Sequence, residues 1–298
     1  MIKDRIAIID LGTNTFNLLI VDKKPNGFDK LHSDKEGVGL GLGGINENRL
    51  APDAMQRGIE TLRLFKAKCN EWEVERIKAF GTSALRDATN REVFLGMIRD
   101  EIQLEVEIIS GSREAELIHQ GVKIGYPFSE PALIMDIGGG STEFIYANAQ
   151  EIIKSQSFNI GTARIYDKFQ LKDPLSQKNI QEIITYLETN TKGFFDDIQT
   201  NTLIGASGSF ETFYALLTQR VYEENGFEEL PTEALYPVLD KMMTSTLDER
   251  MKNPFIIPIR KKMGPIAAIK IKWVMEKLAI HTLTISPYAM KEGVIQIS

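Results

Sequence analysis

Three glycine-containing turns, each at the end of an apolar run, are the segments of this sequence best suited to chemistry. Asp10-Leu11-Gly12-Thr13-Asn14-Thr15 follows one run, Asp136-Ile137-Gly138-Gly139-Gly140-Ser141-Thr142 a second, and Gly205-Ala206-Ser207-Gly208-Ser209 a third. Glycine lets backbone approach a ligand closely, and successive N–H groups in a turn form a nest for anions. Asp10 and Asp136, at strand ends, are carboxylates where a hard cation such as Mg²⁺ could sit beside bound phosphate. Three consecutive glycines weaken local structure by roughly 1 kcal/mol each relative to alanine, which favours a ligand-facing loop at 138–140. An ordinary tight hairpin is the competing reading, more so for the first turn. The third turn runs into a helix, whose N-terminus offers free N–H donors, although strand–glycine–helix junctions are common by themselves.

Two further residues have the right type and place. Glu114, in Ser110-Gly111-Ser112-Arg113-Glu114-Ala115, lies on the first turn of a helix directly after a strand. A carboxylate there can polarise water for attack on phosphorus if its pKa allows a base near neutral pH; a solvated acid that suits the helix dipole would look the same. Arg113 beside it is a candidate phosphate ligand. Arg86, in Thr82-Ser83-Ala84-Leu85-Arg86-Asp87-Ala88, can grip phosphate bidentately, whereas an ion pair with Asp87 or Asp100 is the plainer alternative. Arg164 and the run Arg260-Lys261-Lys262 are additional cations, and a basic run is usually a solvated face. Cys69 falls on an apolar stripe and reads as core.

The elements that must hold these residues alternate between strand and helix. The pattern predicts strands over 5–10 and 16–22, and a helix carrying Met55, Ile59, Leu62, Phe65 and Cys69 at steps of three or four. Strands over 76–82 and 105–110 flank a helix with Phe94, Met97, Ile98 and Ile102, and a helix over 112–124 follows with Ser112 as N-cap. After Gly125-Tyr126-Pro127 the pattern restarts at 132–137. A hairpin through 143–147 and 151–158 follows, then a helix with Ile180, Ile183, Ile184 and Leu187. The strand 202–206 leads into a helix with Phe213, Leu216 and Leu217. Helices over 233–243 and 266–278, a strand over 282–286 and a short helix near Lys291 close the chain. The first and second turns superpose at an offset of 126 residues, too long for a solenoid repeat. Two domain-sized α/β halves are expected, 1–125 and 126–298.

Composition narrows the function. The 298-residue chain carries 35 basic and 41 acidic residues, a net charge of −6. That argues against coating nucleic acid and leaves a local phosphate-binding cleft open. One cysteine and three separated histidines (His32, His119, His281) exclude a disulfide framework and a Cys-rich zinc site. The chain reads as reduced and cytoplasmic. Its charged start gives no signal h-region, and no apolar run reaches the ~18 residues of a membrane span.

Taken in order, Asp10–Thr15, Thr82–Ala88, Gly111–Ala115, Asp136–Glu143, Gly161–Arg164 and Ala206–Gly208 resemble the exopolyphosphatase / guanosine-pentaphosphate phosphohydrolase (Ppx/GppA) family of the actin–Hsp70–sugar-kinase superfamily. The resemblance covers nearly the whole chain and is sharpest at Asp136–Glu143. It implies two ribonuclease-H-like (actin-like) domains with an interdomain cleft. Glu114 would be the catalytic base and Arg86 the phosphate clamp. Asp136 and Glu143, with Asp10, would hold Mg²⁺ directly or through water. Gly12, Thr13, Asn14, Gly138, Gly139, Gly140, Ser141, Ser207, Gly208 and Ser209 would cradle the substrate together with Arg164. Inorganic polyphosphate or guanosine pentaphosphate is the implied substrate, and a homodimer the implied assembly. Two alternatives stand beside this reading: an ATP-dependent kinase or ATPase of the same superfamily, and a non-catalytic polyphosphate or alarmone sensor. The chain looks like a short form without extra C-terminal helical domains. It departs from many relatives at Arg113-Glu114, where two acids are usual. Thr15 stands where serine is usual, and Arg260-Lys261-Lys262 lacks the acid of an Arg-x-Asp element.

Overall fold

The computed structural model describes residues 4–298; the charged start at Met1–Lys3 lies outside them. Arg5–Leu11 (β1), Phe16–Lys24 (β2) and Gly27–Glu36 (β3) form an antiparallel meander. Arg76–Gly81 (β4) and Val106–Ile108 (β5) add in parallel beyond β1, giving the order β3-β2-β1-β4-β5. The central strand β1 buries Ile6, Ala7, Ile8 and Ile9 on both faces, which is why it reads as a continuous apolar run rather than an alternating one. At the edge, β3 is charged and exposed on most positions. That composition discourages edge-to-edge pairing, and it hid the strand from a pattern search.

The second half repeats this frame. Ala132–Ile137 (β6), Thr142–Ala147 (β7) and Ile152–Phe158 (β8) make the meander, and Thr202–Gly205 (β9) pairs in parallel with β6. Glu228–Pro231 (β10) and Thr282–Ile285 (β11) complete the order β10-β11-β9-β6-β7-β8. Removing the antiparallel edge strand β10 leaves the order of the first sheet. Both sheets thus carry a three-strand hairpin meander followed by two parallel strands.

Helices cover the outer faces. Pro52–Glu71 (α1) begins with proline in its first turn, as proline prefers, and buries Met55, Ile59, Leu62, Phe65 and Cys69. Ser83–Asp87 (α2) and Arg91–Ile102 (α3) link β4 to β5, and Gly111–Val122 (α4) follows, capped by Ser110 rather than Ser112. In the second half, Thr162–Lys168 (α5), Gln177–Asn190 (α6), Gly208–Thr218 (α7), Thr232–Thr244 (α8), Leu247–Lys252 (α9) and Pro258–Lys277 (α10) precede Met290–Gln296 (α11). Helix α10 starts eight residues before the expected 266, with Pro265 inside it. Met263, Gly264, Pro265 and Ile266 are all buried, which offsets the helix hydrogen bond that the proline removes.

Three apolar clusters hold the described residues together. Two lie between each sheet and its outer helices. The third is shared: Ile6, Ile8 and Leu19 of the first sheet meet Ile134, Ile145 and Ile204 of the second around α4 and α11. Helix α4 packs on β7 and β8 as well as on α11. A side chain at Gly121 would overlap the Ala289 carbonyl, and one at Gly293 the Leu117 carbonyl, so α4 and α11 touch backbone to backbone. Among the described residues no helix is long and apolar enough to cross a membrane.

Candidate active site

Both hairpins are shaped by what binds their carbonyls. In the first, Gly39 N–H donates to Asn14 O at 2.8 Å and Gly41 N–H to Thr13 O at 3.0 Å. Gly39 adopts φ +60°, a left-handed backbone that favours glycine. In the second, Thr162 N–H donates to Gly138 O (3.0 Å), Ala163 N–H to Gly139 O (2.8 Å) and Gly161 N–H to Gly140 O (3.1 Å). A trans peptide points its C=O and N–H in opposite directions. Drawing the carbonyls of 138–140 onto the start of α5 therefore turns the N–H groups of Gly139, Gly140 and Ser141 toward the cleft. The third turn behaves differently. Ser207 Oγ accepts from Ile137 N–H at 3.2 Å, so it does not cap α7 and leaves the first amides of that helix uncapped by a side chain.

The first two hairpins face each other. A Cβ on Gly139 would lie 2.5 Å from the Asn14 side chain, and one on Gly140 would lie 2.7 Å from Thr13 Oγ1 and overlap Ser83 Oγ. Between the sheets lies a cavity of about 530 Å³. Asp10, Glu114, Asp136 and Glu143 line it together with all three turns.

These four carboxyls are electrostatically unusual. Glu114 is 8% exposed, and its Oε2 accepts from Arg86 Nη1 at 2.9 Å. Burial raises its pKa well above the ordinary range, with nearby Glu143 adding and Arg86 opposing. Burial also raises Asp136 well above its usual value, reinforced by Glu143 and Asp10. Glu143 is raised by burial against hydrogen bonds from Ser157 and Ser141; Ser157 Oγ donates to its Oε1 at 2.6 Å. Asp10 is raised to about 6, again mainly by burial. Asn17 donates to its Oδ2 at 3.0 Å, while Oδ1 is buried and unpartnered among the described residues, as are Asn14 Oδ1 and Ser83 Oγ. Behind Asp136 and Glu143, the fully buried Lys270 is drawn down to about 7 by burial, against the pull of both acids.

Such a cluster of hard oxygen donors, one of them orphaned, suits a divalent cation. Among the described residues no three carboxyl, imidazole or thiol groups converge closely enough to hold an ion by themselves. The donor set therefore fits Mg²⁺, which typically takes one or two carboxylates and completes its shell with water and phosphate oxygens.

Nearly all the residues singled out in the sequence line this one cavity: Asp10, Gly12–Asn14, Glu114, Asp136, Gly138–Ser141, Glu143 and Ser207–Ser209. Arg86 is not among the lining residues: it stands behind Glu114 and also donates to Ile109 O at 3.3 Å. Arg164 lies outside the cavity lining. It is buried, with Nε donating to Gly140 O (3.0 Å), Nη1 to Ile45 O (2.8 Å) and Nη2 to Asp87. It braces the second hairpin against the first half instead of facing the cleft. Arg113 pairs on the surface with Glu116 at 2.8 Å. Of the basic run, Arg260 reaches the cavity and donates to Thr212 Oγ1 at 2.9 Å. Lining residues that the sequence did not single out include Lys35, Glu211 and Lys291. Lys35 pairs with Glu211 across the cleft at 3.3 Å. Its strand reads as a solvated edge, and only the sheet order brings it inward.

A model described as the Ppx/GppA phosphatase family matches residues 19–297. The chain belongs to this family. A crystal structure of an exopolyphosphatase from Cytophaga hutchinsonii is 35% identical, with a TM-score of 0.94 over 98% of this chain and 96% of that one. The two-domain actin-like α/β architecture is therefore the family's. Guanosine-5'-triphosphate,3'-diphosphate pyrophosphatase of Photobacterium profundum is 29% identical over 296 residues, 97% of this chain and 58% of that protein. A bifunctional 3-dehydroquinate synthase/phosphatase of Fusobacterium nucleatum is 36% identical over 220 residues, 69% of this chain and 33% of that protein. The Ppx/GppA chain described here thus spans less than two thirds of these two curated relatives.

Proposed function

We propose that the cleft hydrolyses a terminal phosphoanhydride bond and releases orthophosphate from inorganic polyphosphate. The observation that carries this reading is the pair of facing hairpins, the carbonyls of the second bound from behind by the start of α5, with the buried Glu114 in the wall of the cavity they share. In this mechanism the loop amides of 138–141, with Thr13 and Asn14 opposite, orient the terminal phosphate. Glu114 accepts the proton of a water whose oxygen attacks the terminal phosphorus in line. The bridging P–O bond breaks, and the shortened chain leaves. A carboxyl whose pKa is lifted by burial is matched to accepting a proton near neutral pH. Arg86 and the amides stabilise charge on the transferring group, where preorganised donors act most strongly. Asp136 and Glu143, with Asp10, would hold Mg²⁺, which supplies charge neutralisation at the phosphate oxygens.

A relative named for guanosine pentaphosphate aligns over 97% of this chain, which supports that nucleotide as a second substrate presenting the same terminal group. On this reading the halves 1–125 and 126–298 are the two cleft-forming domains, and the working form is a cytoplasmic homodimer that ignores nucleic acid. The test is phosphate release from long-chain polyphosphate, guanosine pentaphosphate and ATP with Mg²⁺, side by side. Turnover of either of the first two supports the proposal. Transfer from ATP to a small acceptor would favour a kinase, and tight polyphosphate binding without release a sensor.

A further inference from the structure

Lys270 is the most anomalous residue outside the proposed chemistry. It lies on α10 with no exposed surface, and lysine is almost never fully buried unless paired. Its ammonium donates to two neutral oxygens, Thr142 Oγ1 and, at 2.9 Å, Ile160 O. Thr142 opens β7 where the second hairpin closes, next to Glu143. Ile160 immediately precedes Gly161, Thr162 and Ala163, whose amides hold the carbonyls of Gly140, Gly138 and Gly139. One ammonium thus ties the end of the hairpin to the turn that backs it, reaching in from a helix that belongs to neither. An apolar side chain such as methionine would fill the same space without desolvating a charge, so packing alone does not account for lysine.

We propose that Lys270 is a positioning residue: by joining Thr142 to Ile160 it keeps the amides of 139–141 aimed into the cleft. Its consequence for turnover rests on the phosphohydrolase reading above, whereas its consequence for the hairpin does not.

The experiment compares Lys270→Met, which removes the donors, with Lys270→Gln, whose amide can donate to both oxygens. Two readouts are taken: amide hydrogen exchange at 161–163, whose hydrogen bonds back the hairpin, and phosphate release from long-chain polyphosphate with Mg²⁺. In the Met variant, exchange at these amides should speed up by about tenfold while the melting temperature stays level or rises. Its kcat should fall by about tenfold with KM changed less than about threefold, because the amides act chiefly on the transferring group. The Gln variant should regain most of both losses. Unchanged exchange in the Met variant, or a Gln variant no better than Met, overturns the proposal. If the Met variant does not fold, Thr142→Val removes one acceptor and should loosen the same amides; no loosening overturns it equally. Absence of phosphate release by the unaltered protein would count against the phosphohydrolase reading and leave the exchange comparison to decide this one.

Discussion

The hairpins at 12–15 and 138–141 are one device used in two ways. Each follows a central strand ending in Asp-aliphatic-Gly, and each has its carbonyls bound from behind. The first is backed by a loop, through Gly39 and Gly41, and presents side chains: Thr13, Asn14 and the neighbouring Ser83, with Asn14 Oδ1 and Ser83 Oγ left unpartnered among the described residues. The second is backed by the start of α5, Arg164 and Lys270, and presents backbone N–H groups beside Asp136 and Glu143. The contrast shows what a duplicated frame permits. One copy supplies adjustable polar side chains, the other a backbone in which a Cβ at Gly139 or Gly140 would collide with the facing hairpin or Ser83.

The comparison can be broken at its strongest point first. Gly140→Ala introduces a Cβ 2.7 Å from Thr13 Oγ1. It should lower kcat/KM for phosphate release by about 10²-fold, the scale on which a lost oxyanion donor is felt, while circular dichroism stays unchanged. Next, Asn14→Ala in the opposite hairpin removes one side-chain contact and should cost only about tenfold, mostly in KM, since it touches bound substrate and transition state alike. Kinetics that reversed this order would show that the side-chain hairpin, not the backbone one, carries the site.

A third test separates the acids by stability. Asp10 is lifted from 3.8 to about 6 by burial, so its charge opposes folding. Below about pH 4 both folded and unfolded chains hold the proton and Asp10→Asn should be neutral. Between about 4 and 6 the unfolded chain loses its proton first, so stability of the unaltered protein falls as pH rises, and above about 6 the penalty is complete. In chelator-treated protein at pH 7, Asp10→Asn should therefore gain roughly 2 kcal/mol, discounted from the full linkage value. Chemical denaturation at pH 4 and 7 measures it. A gain equal at both pH values would remove the electrostatic explanation.

The smallest effect concerns Lys35→Met, which loosens the Lys35–Glu211 bridge across the cleft. A partly exposed pair of this kind is worth about 1 kcal/mol or less, so substrate KM should move by only a few-fold, measured by the same release assay.

How much of this was legible depended on range. The two hairpins carry their own turn chemistry in consecutive residues, so Asp10, Gly12 and Gly138–Ser141 could be read directly, and their repetition exposed the two-half frame. Glu114 was legible as the first turn of a helix after a strand, but its burial was not, because α4 is covered by β7 and β8 of the other half. Arg164 was expected at the substrate, and its three acceptors come from segments 24, 77 and 119 residues away. Lys270 carries no local signal, being one lysine set among the apolar residues of 263–285. Edge strands β3 and β10 escaped because exposed strands lack the alternation that a buried face imposes.

At the centre of the account is Glu114 as the group that takes a proton from water while the facing hairpins hold the terminal phosphate. The most direct measurement is orthophosphate release from long-chain polyphosphate by Glu114→Gln, alongside polyphosphate binding by the same variant. The account predicts release reduced by about 10³-fold with binding kept within a few-fold. Release at the unaltered rate, with binding intact, would contradict it.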